Sequence, residues 1–242
     1  NDNVAGTLNL AAAVRDAGVR RFVFVSTISV YGFDRPAEVD EDTPIEPFAG
    51  KYPYARSKVE AERGLRALEL QDTELVIARL GSVFGPGSTL WTLRPARLMA
   101  DSITGMILVD HGRGTQNCIY IDKPSAALID LAFLEDAAGQ TVNVTHDVMS
   151  YEEFFSAYVE RASSKVRMRK VSKSTGLALG AILATTAKLL GREPLATPLA
   201  VRVICARYRV SSERLDRLRP NAERVSFDEG MDRSVDWLRE QG

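Results

Sequence analysis

"RFVFVST", Arg21 to Thr27, is the stretch that decides the fold. It is short, almost continuously apolar, and rich in β-branched and aromatic side chains. A strand with one wet face alternates apolar with polar residues, whereas an unbroken apolar run suits a strand covered on both faces, as in a parallel sheet. Its flanks agree. Upstream, Val4, Leu8, Ala11 and Ala12 keep helical spacing, and Gly18 stands as a C-terminal stop. Downstream, the acid- and proline-rich loop "FDRPAEVDEDTPIEPFAGKYP" leads to a second helix, roughly Tyr54 to Leu70. "ELVIARL", Glu74 to Leu80, is a second buried strand and ends in the glycine-rich turn "GSVFGPGS".

The alternation continues. "MILVD", "NCIYID" and "QTVNVT" read as strands, while "PSAALIDLAFLED" and "YEEFFSAYVERAS" read as helices. Strand and helix in turn predict an α/β protein built on a parallel sheet. After about Lys165 the texture changes. "KVRMRKV" suits a short strand edge, "STGLALGAILATTAKLL" an apolar helix, and "SFDEGMDRSVDWLREQ" an amphipathic one. The expected division is therefore a sheet domain over 1–164 and a mostly helical substrate-side region over 165–242, its elements interleaved with the sheet.

The totals narrow the function. The chain has 242 residues with 31 basic and 32 acidic side chains, a balance that asks for no nucleic acid. Cys118 and Cys205 are too few for a disulfide framework and fit a reducing, cytoplasmic setting. His111 and His146 are too few for most zinc sites, so no metal is expected. "GLALGAILATTA" is shorter than the roughly 20 residues a spanning helix needs. "NDNVAGTLNLAAAV" has neither the basic start nor the cleavage pattern of a secretory signal.

The chemistry centres on "YPYARSKVEAE", Tyr52 to Glu62. Tyr54 and Lys58 stand four apart and share one face of a helix. An ammonium beside a phenol favours the phenolate. Bringing a phenol from about 10 to about 7 needs roughly 4 kcal/mol, the order that one charge at about 4 Å supplies in a partly shielded site. Such a tyrosine works as a general base and acid near neutral pH. The same spacing also occurs on ordinary surface helices, so context decides. Here a buried strand ends in "VSTISVYG", and ligands of open α/β sheets bind at the carboxyl ends of strands. Ser26, Thr27 and Ser29 lie at that end.

"NVAGTLNLAAAVRDAGVRRFVFVSTISVYG", "YPYARSKVEAE" and "RLGSVFGPG", in that order and spacing, resemble the extended short-chain dehydrogenase/reductase family, also called NAD-dependent epimerases/dehydratases. The resemblance implies a Rossmann-like sheet, NAD or NADP as cofactor, and a small-molecule substrate. By position it makes Tyr54 the catalytic tyrosine and Lys58 the residue that holds the nicotinamide ribose. Thr27 matches the catalytic serine or threonine, with Ser29 as a neighbouring substrate hydroxyl. Gly81, Ser82 and Val83 match the backbone beside the nicotinamide carboxamide, and Ser82 stands where many members carry asparagine. Dimerisation through the tyrosine helix is implied as well. Ser26, Tyr31 and Arg79 read as structural.

Two branches of the family compete. Asn117 and Cys118 stand near where sugar-nucleotide enzymes often carry arginine, while "LLGREPLATPLAVRVICARYRVSSERLDRL" is similar to the 3β-hydroxysteroid dehydrogenase-like branch. The expectation is hydride transfer at a secondary alcohol or ketone of an apolar, steroid-like substrate. The alternatives are a nucleotide-sugar epimerase or dehydratase, or a cofactor-free binding module or inactive fragment. The glycine turn that cradles a pyrophosphate at a helix N-terminus is absent from these 242 residues. The reading is therefore of a sheet truncated at its N-terminal side, with weak NADH binding by these residues alone.

Overall fold

The computed structural model describes residues 2–33, 35, 37–45, 52–100, 105–162, 166–192, 194, 196–223 and 225–241. The expected boundary at 164/165 and part of the acidic loop lie outside the described residues. In chain order the elements begin with α1 (Asp2–Asp16), β1 (Arg21–Thr27), β2 (Glu38–Val39), α2 (Pro53–Ala67), β3 (Glu74–Leu80) and β4 (Ser82–Phe84). Then come α3 (Arg94–Ala100), β5 (Met106–Val109), β6 (Thr115–Tyr120), α4 (Asp122–Phe133), β7 (Thr141–Val144), β8 (Asp147–Ser150) and α5 (Tyr151–Arg161). β9 (Met168–Val171), α6 (Lys173–Leu189), α7 (Pro198–Ile204), β10 (Arg209–Val210), α8 (Glu213–Leu218) and α9 (Phe227–Glu240) complete the fold.

β1, β3 and β7 form one parallel sheet in the order β1-β3-β7. Both faces are covered, which accounts for the unbroken apolar runs. Phe24 and Ile77 pack with Ala11, Ala61 and Leu65 of α1 and α2. On the other face Val76, Ala78 and Val142 meet Ala127 and Leu131 of α4 and Leu215 of α8. α2 is shorter than its sequence pattern, because Leu68 adopts an extended conformation and stops the helix.

A second, mixed sheet has the order β4-β6-β8, with β4 parallel and β8 antiparallel to β6. Its core holds Phe84, Tyr120, Phe154 and Tyr158, together with Met231 and Val235 of α9. The closing helix thus completes the same core as the middle of the chain. Ser150 caps α5 in a reciprocal pair with Glu153, satisfying donors at that helix start. β3 runs into β4 through Gly81, so the chain crosses from one sheet to the other at the place where β1 also ends.

Candidate active site

A cavity of about 650 Å³ opens at this crossing. Thr27, Ser29, Tyr54, Gly81, Ser82 and Val83 all line it. Thr27, Ser29 and Gly81 come from the ends of β1 and β3 and the turns that follow them, Ser82 and Val83 open β4, and Tyr54 comes from the first turn of α2. Tyr54 is 47% exposed, whereas Thr27 is only 8% exposed. The local sequence explains both. Pro53 starts α2 and leaves Tyr54 on its open first turn. Thr27 ends a buried strand and caps the short turn Ile28–Tyr31.

The hydroxyls form a chain. Thr27 Oγ1 accepts from the Ser29 main-chain N–H and donates to Ser29 Oγ, both at 3.2 Å. Ser29 also bonds the Tyr52 hydroxyl, although burial dominates there and raises that phenol. Tyr52 and Tyr54 rings lie 6.2 Å apart. Thr27 therefore has both a structural bond and a place in the cavity wall.

Lys58 sits differently. Its Nζ donates to the main-chain oxygen of Val25 at 2.8 Å and lies 4.9 Å from the Phe24 ring centre. It is half-buried and outside the cavity lining. Burial lowers its pKa, opposed by the charge of Glu62.

Ser26, Tyr31 and Arg79 form the support beneath. Arg79 and Glu62, both buried, pair at 2.8 Å, and Ser26 Oγ donates to Glu62 at 2.5 Å. Tyr31 bonds Asn143 and Arg79, and burial pushes its phenol up to about 12.

Several wall residues had no separate signal in sequence. Trp91, Tyr151, Val203 and Tyr208 reach the cavity from distant segments. Gln116 is fully buried, accepts from Ser82 Oγ at 3.2 Å, and leaves its Nε2 without a partner. A polar residue in the otherwise buried strand "TQNCIY" was the legible hint. Asn117 is occupied: it donates to Tyr208 O and accepts from the Val210 N–H. Cys118 is wholly buried in the second core, and burial pushes its thiol well up. Among the described lining residues none carries a charge, and no group of three or more His, Cys, Asp or Glu among the described residues could hold a metal.

Residues 1–144 match the profile of the NAD dependent epimerase/dehydratase family. The chain is 25% identical over 252 residues to the sterol-4-alpha-carboxylate 3-dehydrogenase ERG26 of Candida albicans, covering 98% of this chain and 71% of that protein. It is 41% identical over 85 residues to the dTDP-D-glucose 4,6-dehydratase of Mus musculus, covering 35% of this chain and 23% of that protein. Its fold is similar to DesIV, a dTDP-glucose 4,6-dehydratase from Streptomyces venezuelae solved with NAD and TYD bound. The TM-score is 0.71 at 24% identity, over 98% of this chain and 66% of that one.

Proposed function

This chain belongs to the NAD-dependent epimerase/dehydratase family, and from that membership we propose an NAD(P)-dependent oxidoreductase acting on a secondary alcohol or ketone of an uncharged, largely apolar substrate. The observation that carries the substrate class is the cavity wall. Ile28, Val83, Leu90, Trp91 and Val203 supply apolar surface, and no described lining residue is charged. A nucleoside diphosphate buried without cations would leave its charges unpaired, at a cost of several kcal/mol.

The residues present also suit the nicotinamide end of the cofactor. A flat, weakly polar ring matches uncharged walls, and Gly81, Ser82 and Val83, which line the cavity, would offer main-chain groups to its carboxamide. When bound, NAD(P) supplies the hydride acceptor. Tyr54 Oη takes the hydroxyl proton of the alcohol, or returns it to the ketone oxygen in the reverse direction. Thr27 Oγ1, steadied by Ser29, orients that substrate oxygen. Lys58 holds the ribose, its Nζ positioned by the bond to the Val25 main-chain oxygen. Ser82 Oγ donates to Gln116 Oε1 and keeps its lone pairs to accept from the substrate.

The nucleotide-sugar reading keeps the support of the 85-residue match to a dTDP-D-glucose 4,6-dehydratase. One experiment separates them. A panel of sterols and other apolar secondary alcohols is offered with NAD+ or NADP+, alongside UDP- and dTDP-sugars, to a full-length protein carrying this chain. Reduced cofactor appearing with the apolar alcohols supports the reading; turnover of the sugar nucleotides alone overturns it.

A further inference from the structure

α6 leaves a run of large apolar side chains exposed. Leu179 is 38% exposed, Ile182 60%, Leu183 38% and Leu189 81%, with Leu190 just beyond at 68%. These positions fall three, four and seven apart, so they make one outer stripe. The inner face is small: Gly176 lies against Val109 and Gly180 against the Thr197–Pro198 backbone, where a Cβ would come within 2.3 and 3.0 Å. The glycines let the helix lie close on the fold by its narrow side and present its wide apolar side outward.

Two further features identify what covers that side. The first is charge. From Lys173 to Arg192 the charged residues are Lys173, Lys188 and Arg192, with no acid among them. β9, which leads into α6, adds the exposed Arg169. The second is the state of the hydroxyls. Thr185 donates to Ala181 O at 2.8 Å and Thr186 to Ile182 O at 3.1 Å, while Ser172 bonds Ser174 and Thr175 at the helix start. Hydroxyls bonded within their own helix ask nothing of a polar partner.

We propose that the outer face of α6 lies on the surface of an anionic lipid bilayer. An apolar stripe with basic ends suits the boundary between acyl chains and acidic headgroups. The helix lies on the membrane and does not cross it: 17 residues span about 25 Å, short of the roughly 30 Å hydrocarbon core. No described helix is long and apolar enough to cross. α6 touches the start of α7, and Val203 of α7 lines the cavity, so docking places one cavity wall close to the lipid. The proposal stands apart from the catalytic reading, because it concerns binding and not turnover.

The test is co-sedimentation of the full chain with extruded vesicles of phosphatidylcholine, with and without phosphatidylglycerol, at low and high salt. The chain is expected to sediment with phosphatidylglycerol vesicles and to be partly released by salt. Ile182→Glu with Leu189→Glu should weaken that binding about tenfold or more. Leu189→Glu alone, at the most exposed position, keeps the test valid if the double variant misfolds, and should weaken it in the same direction. Lys188→Glu should lower the preference for phosphatidylglycerol. No sedimentation of the wild-type chain overturns the proposal, as does equal binding by the glutamate variants. Loss of self-association in those variants without loss of vesicle binding also overturns it, and assigns the face to a second copy of the chain.

Discussion

Lys58 Nζ reaches back to the main-chain oxygen of Val25 at 2.8 Å. The bond fastens α2 to β1 two residues before Thr27. The helix that carries Tyr54 and the strand end that carries Thr27 are thereby held as one piece. The proposed base and orienting hydroxyl need a geometry held at the level of an ångström, and this bond joins the Ser26–Glu62 bond in linking their two elements.

Replacing Lys58 with Met keeps the stem and removes the donor. A hydrogen bond from a charged group contributes about 1.5–3 kcal/mol, toward the low end here because the lysine is half-buried. The variant is expected to lose stability of that order in urea unfolding and to lose turnover far more than substrate binding. Unchanged turnover would remove Lys58 from the proposed site.

Tyr54→Phe removes one oxygen from a side chain that is 47% exposed. Stability should stay within about 0.5 kcal/mol, as for most surface changes. In a full-length protein kcat should fall about 10²–10⁴-fold, the usual share of a general acid or base. Cofactor binding should be nearly intact. Wild-type-like kcat would sink the assignment.

Glu62 is wholly buried and is held by Arg79 and Ser26. Glu62→Ala leaves the Arg79 guanidinium buried without its anion. Breaking such a pair costs about 3–5 kcal/mol, which calorimetry would register as a large drop in Tm. A loss below about 1 kcal/mol would show that water replaces the carboxylate.

Asp110 faces Arg207 and Arg113. Burial works to raise its carboxyl, and the hydrogen bonds from Arg207 and Arg113 outweigh it, so the pKa lies below the ordinary value. A depressed folded pKa means the folded state binds fewer protons than the unfolded chain. The stability it contributes is present above the unfolded value of about 3.9 and is lost as pH falls through the folded value. Asp110→Asn should therefore flatten the acid limb of the stability curve in that window. An unchanged limb would show that other carboxylates carry it.

Gln116 lines the cavity, and its amide Nε2 is buried beside it without a partner. Gln116→Leu should raise KM for substrates bearing a second neutral oxygen about tenfold or more, the effect of one lost buried bond. Substrates without that oxygen should be little affected. A uniform loss across both classes would make the residue merely structural.

Much of this was legible in the residues. The double-sided burial of β1 and β3 follows from their unbroken apolar runs, and the gathering of Thr27, Tyr54 and Gly81 follows from strand ends and helix starts. Those signals are local. Trp91, Tyr151 and Tyr208 were not legible, because their place depends on packing between segments far apart in sequence. The role of Lys58 was half legible: spacing put it on the face of Tyr54, but its actual partner is a backbone oxygen, which carries no mark in a sequence.

Gly114 meets the Ile204 carbonyl so closely that a Cβ there would stand 1.7 Å from the oxygen. It clamps the segment leading to Ala206 and Tyr208, the last wall of the cavity, onto the start of β6. About 180 residues separate Thr27 from Tyr208. At ribosomal rates of about 5–20 residues per second, the first wall is made roughly 10–35 s before the last. During synthesis the cavity wall formed by Thr27 and Tyr54 therefore stands open to water until the segment bearing Tyr208 has been made.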